Sequence, residues 1–226
     1  MSTKPQQSTE CPVGVESCPW LDELQQLRDR VDSLEELVSR DPLTGLYNVR
    51  HLQETLPVVL ERTRRNHRPA CLIMVDLDHF KQINDTWGHE VGNLALRQTA
   101  KILCRQVRIV DIVCRYGGEE FVIILPDTGL RQAVQIAERI RVCIADKPVV
   151  HEGGEFHMTA SMGVDVHLPS DDRGPEAFIE AVDRLLYRAK ESGRARVCHR
   201  DFAEIGAESG VSHEEKDALR GLFTED

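Results

Sequence analysis

Apolar side chains recur along this chain in two rhythms, and the switches between them mark its elements. From Trp20 they step by four, three, four, three, four through Leu24, Leu27, Val31, Leu34 and Val38, with Glu, Gln, Arg and Asp between. That is a heptad seam, and it predicts a helical stalk over residues 19–40 that pairs in parallel with a second copy. The competing reading is one amphipathic helix packed on its own domain. A coil of about three heptads is marginal alone and easily re-set by a partner.

"DPLTGLYN" (Asp41 to Asn48) carries Pro and Gly and ends the stalk. A helix is expected over His51 to Arg65. "ACLIMVDLD" then reads as a buried strand whose carboxylates emerge at a sheet edge. "FKQINDTWGHEVGN" reads as a loop or short helix, followed by a helix from Leu94 to about Val107. Strands are expected at Asp111 to Tyr116 and Phe121 to Leu125. Gly117-Gly118 between them is a two-residue hairpin signal, with both glycines expected at positive φ. A helix over Leu130 to Ile144, a strand over Glu155 to Val166 and a stripe of Phe178, Val182, Leu185, Leu186 and Ala189 complete the pattern. Gly193 closes that last helix. Strands and helices mix in the manner of an α/β or α+β sandwich.

Composition narrows the class. The chain has 226 residues, 41% hydrophobic and 29% charged, enough for a real core. Its formal charge of −10 argues against a broad nucleic-acid or anionic-membrane surface. A phosphate-bearing ligand must therefore meet a local cluster of Lys and Arg. Seven scattered cysteines, several inside apolar runs, fit a reduced cytoplasmic protein. Cys11 and Cys18 are spaced too widely for a usual zinc knuckle or redox pair. Neither a membrane span nor a signal peptide is visible. Residues 1–18 read as a flexible terminus, 41–200 as the globular domain and 201–226 as an acidic tail.

The candidate chemistry sits at strand ends. Glu119 is expected at the hairpin tip and Asp76 at the end of "LIMVDLD". Paired carboxylates without a cysteine or histidine cluster favour a hard cation such as Mg²⁺, which normally also holds substrate phosphates. Several strings then occur in order: "DPLTGLYN", "DLDHFKQINDTWGHEVGN", "RYGGEEF", "SMGV" and "AKESGR". Over about Asp41 to Val197 the chain resembles the GGDEF family of diguanylate cyclases, with the signature written here as Gly117-Gly118-Glu119-Glu120-Phe121. The resemblance implies an α+β fold. Its centre would be a mostly antiparallel five-stranded sheet wrapped by helices, like a polymerase or nucleotide-cyclase palm.

The activity it implies joins two GTP into cyclic di-GMP with release of two pyrophosphates, in a dimer, with Mg²⁺ or in its place Mn²⁺. The implied metal ligands are the Asp76 and Glu119 carboxylates and the Leu77 carbonyl. Glu120 matches the second acidic position, supporting the hydroxyl or the metal. Asp78 is either a third ligand or structural. Phosphate contacts are expected from Lys81 with the Phe80 and Lys81 amides, and from Lys190 and Arg194, placed four apart on one helix face. Gly117 and Gly118 would let nucleotide approach the backbone.

Asn84 matches the base-reading Asn of the family, but Asn93 stands where Asp is expected. An amide offers one acceptor and one donor group, so it does not mirror a carboxylate towards guanine. Relaxed base selectivity, with some mixed cyclic dinucleotide, is the expectation this raises. Ala195 stands where Asn is common, with no consequence visible in the sequence. Arg108 and Asp111 in "RIVD" match the family's product-inhibition site for cyclic di-GMP, and Arg139 a second arginine completing it from a neighbouring subunit or domain. The stalk over Trp20 to Val38 would set two domains together, and a separate activating protein gripping it is expected. A receptor or scaffold that keeps the fold without turnover is the competing class. Intact Asp76, Glu119, Glu120 and Lys190 favour the enzyme.

Overall fold

A computed structural model describes residues 39–203 and, ahead of them, Glu23, Leu24, Gln26 and Leu27. Two compact units are separated at Arg40/Asp41. In the first, Glu23, Leu24, Gln26, Leu27 and Ser39 are helical, with Leu24 and Leu27 half exposed. The rest of the expected stalk up to Val38, Cys11, Cys18 and nearly all of the acidic tail lie outside the described residues.

The second unit is built on a five-stranded sheet. Its strands are β1 (Ala70–Leu77), β2 (Ile112–Arg115), β3 (Glu120–Leu125), β6 (Ala160–His167) and β7 (Val197–His199), in the order β2-β3-β1-β6-β7. All pairs are antiparallel except β6 with β7. β1 is buried over its whole length because it is paired on both sides and covered on both faces. That explains its unbroken apolar run.

Alternate residues of the sheet feed two cores. Cys71, Ile73, Val75 and Leu77, with Phe121, Ile123 and Met162, pack beneath α2 (Phe80–Trp87), α3 (His89–Gln106) and α4 (Leu130–Asp146). Leu72, Met74, Val122 and Ile124 pack beneath α1 (Val49–Asn66) and α5 (Pro175–Glu191). The α+β class with a mostly antiparallel sheet is as expected.

Three local expectations need correction. α3 begins at His89, not Leu94; Gly88 at φ +82° separates it from α2, and Gly92 and Asn93, weak helix formers, lie inside it. The strand expected over Glu155–Val166 is two. β5 (Gly154–Phe156) pairs with β4 (Val149–His151) in a separate ribbon, and β6 starts only at Ala160. Buried Met158 in the corner between them kept the apolar pattern continuous.

The third correction concerns the glycine pair. Neither Gly117 nor Gly118 has positive φ, and the β2–β3 connection is a wider turn. The Tyr116 and Gly117 amides both donate to the Glu120 carbonyl, at 2.8 and 3.2 Å.

Candidate functional site

Pairing between β1 and β3 sets Asp76 directly opposite Glu120, and the Leu77 amide donates to the Glu119 carbonyl at 3.3 Å. Like charges facing across a ladder are unfavourable, so this apposition is a local cost that the fold tolerates. The Lys190 ammonium lies 2.7 Å from Asp76 Oδ2. Burial pushes the Asp76 carboxyl above its ordinary value, and the Lys190 contact offsets this only in part. Burial, then repulsion from Asp76, raises both Glu119 and Glu120 as well. Three carboxylates thus crowd one sheet end with too little positive charge around them.

Gly163 is what brings Lys190 there. α5 lies so close over β6 that a Cβ on Gly163 would stand 2.5 Å from the Leu186 nitrogen and 3.1 Å from the Leu185 carbonyl carbon. These are backbone atoms, which do not swing aside. α5 then ends in a Schellman motif: Arg194 N–H donates to Ala189 O at 3.0 Å and Gly193 N–H to Lys190 O at 3.4 Å, with Gly193 at φ +107°. Arg194 therefore lies past the helix end, at φ +62°, and does not share a helix face with Lys190 as the spacing suggested. Its charge nevertheless reaches Asp76.

Asp78 is buried and fully engaged. It accepts from Ser161 Oγ and Thr159 Oγ1 at 2.7 Å each and from the Ala195 amide at 3.1 Å. Of its two expected roles the geometry supports the structural one. Ala195 sits at φ +49°, a left-handed conformation that Asn adopts more readily than Ala.

Phe80 and Lys81 open α2. The preceding His79, at φ +58°, gives the helix no side-chain cap, which leaves its first amides available to an anion. Lys81 is exposed. Asn84 stands on the same helix, and Asn93 in the second turn of α3, both half-buried. A Cβ on Gly117 would meet Glu120 Oε2 at 2.5 Å, whereas Gly118 faces open space.

Arg115 escaped the sequence reading. Its guanidinium donates to the Gly118 carbonyl at 2.8 Å and the Gly117 carbonyl at 3.1 Å, and to both Asp41 oxygens at 3.1–3.2 Å. Asp41 also accepts from the Thr44 amide and hydroxyl at 2.9 and 2.6 Å. "DPLTGLYN" thus does more than end a helix: its first residue anchors the arginine that holds the glycine turn. Arg115 lies inside the quoted "RYGGEEF" string, but no periodicity distinguishes it.

At the other end of β2, Arg108 N–H donates to Asp111 Oδ2 at 2.7 Å and Asp111 N–H returns to Arg108 O at 3.0 Å. Arg108 is exposed. Asp111 is buried, its Oδ1 without a partner, and burial raises its carboxyl. Arg139 on α4 donates to Gln106 Oε1 at 2.7 Å and Gln106 O at 2.5 Å, two residues ahead of Arg108 on the same chain.

The donors around Asp76 are oxygens. Among the described residues no three His, Cys, Asp or Glu side chains converge as a ligand set. A cation here would draw on one or two carboxylates, backbone oxygen, water and ligand oxygens, the habit of Mg²⁺.

Fold and site together define an α+β domain with an acidic cluster at the ends of its central strands and cations beside it. The model of the diguanylate cyclase GGDEF domain matches residues 38–196, and the chain belongs to that family. Response regulator PleD of Caulobacter vibrioides is 42% identical over 173 residues, which are 76% of this chain and 38% of PleD. The coiled coil and GGDEF domain of DgcB from Caulobacter crescentus, solved with c-di-GMP, superposes with a TM-score of 0.74 at 27% identity, over 79% of this chain and 94% of that one. Diguanylate cyclase SiaD of Pseudomonas aeruginosa, solved with its activator SiaC, gives 0.71 at 38% identity, over 79% and 68%. The chain therefore spans well under half of PleD.

Proposed function

We propose that this chain is a diguanylate cyclase, joining two GTP into cyclic di-GMP with release of two pyrophosphates. The observation that carries the reading is the apposition of Asp76 and Glu120 across β1 and β3 beside Glu119, with Lys190 on Asp76. Asp76, Glu119 and the Leu77 carbonyl would hold Mg²⁺ or Mn²⁺; the raised carboxyls fit a site that wants more positive charge. The metal, when bound, supplies neutralisation of the triphosphate and readies the 3′-hydroxyl for in-line attack on the α-phosphorus.

The chain's own groups do the positioning. The α2 amides of Phe80 and Lys81, the Lys81 ammonium, Lys190 and Arg194 receive phosphate oxygens. Lys190 gives up Asp76 to do so. Glu120 supports the hydroxyl or the metal. Asn84 and Asn93 read the base, and the turn at Gly117-Gly118 leaves room for nucleotide against the backbone. Each domain holds one GTP, so two domains must face each other, brought together by the stalk. That SiaD is solved with an activator protein fits a regulatory protein here, for which we propose the stalk. That DgcB is solved with c-di-GMP fits product binding, for which we propose Arg108, Asp111 and Arg139.

The test is to incubate the full chain with Mg²⁺ and GTP, ATP or an equimolar mixture, at low and high protein concentration, and to identify products by mass. Cyclic di-GMP, with a rate per molecule that rises with concentration and falls on adding product, is expected. Absence of any cyclic dinucleotide at high concentration would leave the receptor reading in its place. Asn93 motivates a second arm. If the amide relaxes selectivity, mixed product forms from the mixture and Asn93→Asp suppresses it; an unchanged GTP/ATP preference removes the idea.

A further inference from the structure

Gly92 lies at the end of the first turn of α3, buried, where glycine costs helix stability by about 1 kcal/mol relative to alanine. Its φ is ordinary and its amide makes a regular helical bond to Gly88 O at 3.2 Å, so the backbone asks for no glycine here. The reason is steric. A Cβ built on Gly92 would overlap the amide oxygen of Asn84 on the neighbouring helix and come within 3.1 Å of Asn84 Cγ and 3.3 Å of Phe80 Cζ. The missing methyl is therefore the slot into which the Asn84 carboxamide is laid.

We infer that Gly92 is a positioning residue for base recognition: the bare Cα of α3 seats the Asn84 amide against the α2–α3 elbow and so aims it at the nucleotide base. This rests on the proposal that Asn84 reads the base. The character of the overlap makes the inference sharp. What Gly92→Ala displaces most is the tip of one polar side chain, which turns aside at small cost. The Phe80 ring gives way by a few tenths of an ångström, while α3 gains a better helix former. The variant should fold at least as well as the wild type and recognise its nucleotide worse. A glycine needed merely for packing would give the opposite result, lost stability.

The experiment compares wild type, Gly92→Ala, Asn84→Ala and the double variant in the full chain. Expected for Gly92→Ala are an unchanged or raised melting temperature and a KM for GTP about tenfold higher, the size of one lost base contact. The change in kcat should be smaller and the preference for GTP over ATP reduced. In the Asn84→Ala background, adding Gly92→Ala should change KM by less than twofold, because the two act through one contact. Equal effects of Gly92→Ala with and without Asn84 overturn the inference, as does an unaltered KM.

A third readout separates this from the function itself. The side-chain amide resonances of Asn84 in the nucleotide-free protein should shift in Gly92→Ala. If they shift but the wild type does not bind GTP, the slot stands and the cyclase reading falls. If they do not shift, the slot falls whatever the protein binds.

Discussion

At the scale of the residue, the site is held by groups that carry no chemistry themselves. Asp78 lies two positions from Asp76 and invites assignment as a ligand, yet its oxygens are spent on Ser161, Thr159 and the Ala195 amide. The last bond ties the strand end to a loop with two successive non-glycine residues in the left-handed region, Arg194 and Ala195. For alanine that conformation costs about 1 kcal/mol, which a short polar side chain partly recovers. Ala195→Asn is therefore expected to raise unfolding free energy by about 0.5–1 kcal/mol in urea titrations, with Lys190 and Arg194 left in place. No gain in the denaturation midpoint would mean the loop is not strained at this residue.

At the scale of the element, helix packing decides where charge arrives. Gly163 lets α5 rest on β6 almost backbone to backbone, and the last turn of that helix delivers Lys190 to Asp76. A methyl at Gly163 has only main chain to push against. Gly163→Ala is expected to cost about 1–3 kcal/mol of stability by overpacking and to lift Lys190 away from the carboxylates. A thermal melt and the catalytic rate at saturating GTP check the two halves separately. The sequence announced β1 and β3 by short unbroken apolar runs, and α4 and α5 by a clear helical apolar period. It concealed the start of α3 behind Gly92 and Asn93, and the β4–β5 ribbon behind a continuous run of alternation.

The candidate site was legible in the same uneven way. Asp76, Glu119, Glu120 and Lys190 were readable as a set and do come together. Arg115, Asp41, Gly163 and Gly92 were not, because their work depends on partners between eight and 74 positions away in the chain, which no local pattern encodes.

At the scale of the whole domain, the Asp41–Arg115 pair joins the segment entering the globular unit to the turn between β2 and β3. Burial alone would raise the Asp41 carboxyl, but hydrogen bonds from Thr44 and the charge and hydrogen bonds of Arg115 outweigh it and hold the group below its ordinary value. A carboxyl whose folded pKa is depressed adds stability above its unfolded pKa near 4 and loses it as pH falls through the folded value. Asp41→Asn should lower stability by roughly 1–3 kcal/mol at pH 7. The gap to wild type should narrow as pH falls through the depressed folded value and close once both side chains are neutral. A pH-independent gap in denaturant midpoints would assign the loss to packing instead. The other border of this region has a different consequence. Tyr47 bonds to the outer side of β2, its amide to Val113 O at 3.1 Å and its carbonyl from Arg115 N–H at 2.7 Å, and the opposite rim of the sheet is the three-residue β7. With one rim occupied and the other short, there is little template for a neighbouring molecule to extend the sheet. Copies of this domain that meet, as the proposed chemistry requires, are given little means of joining sheet to sheet.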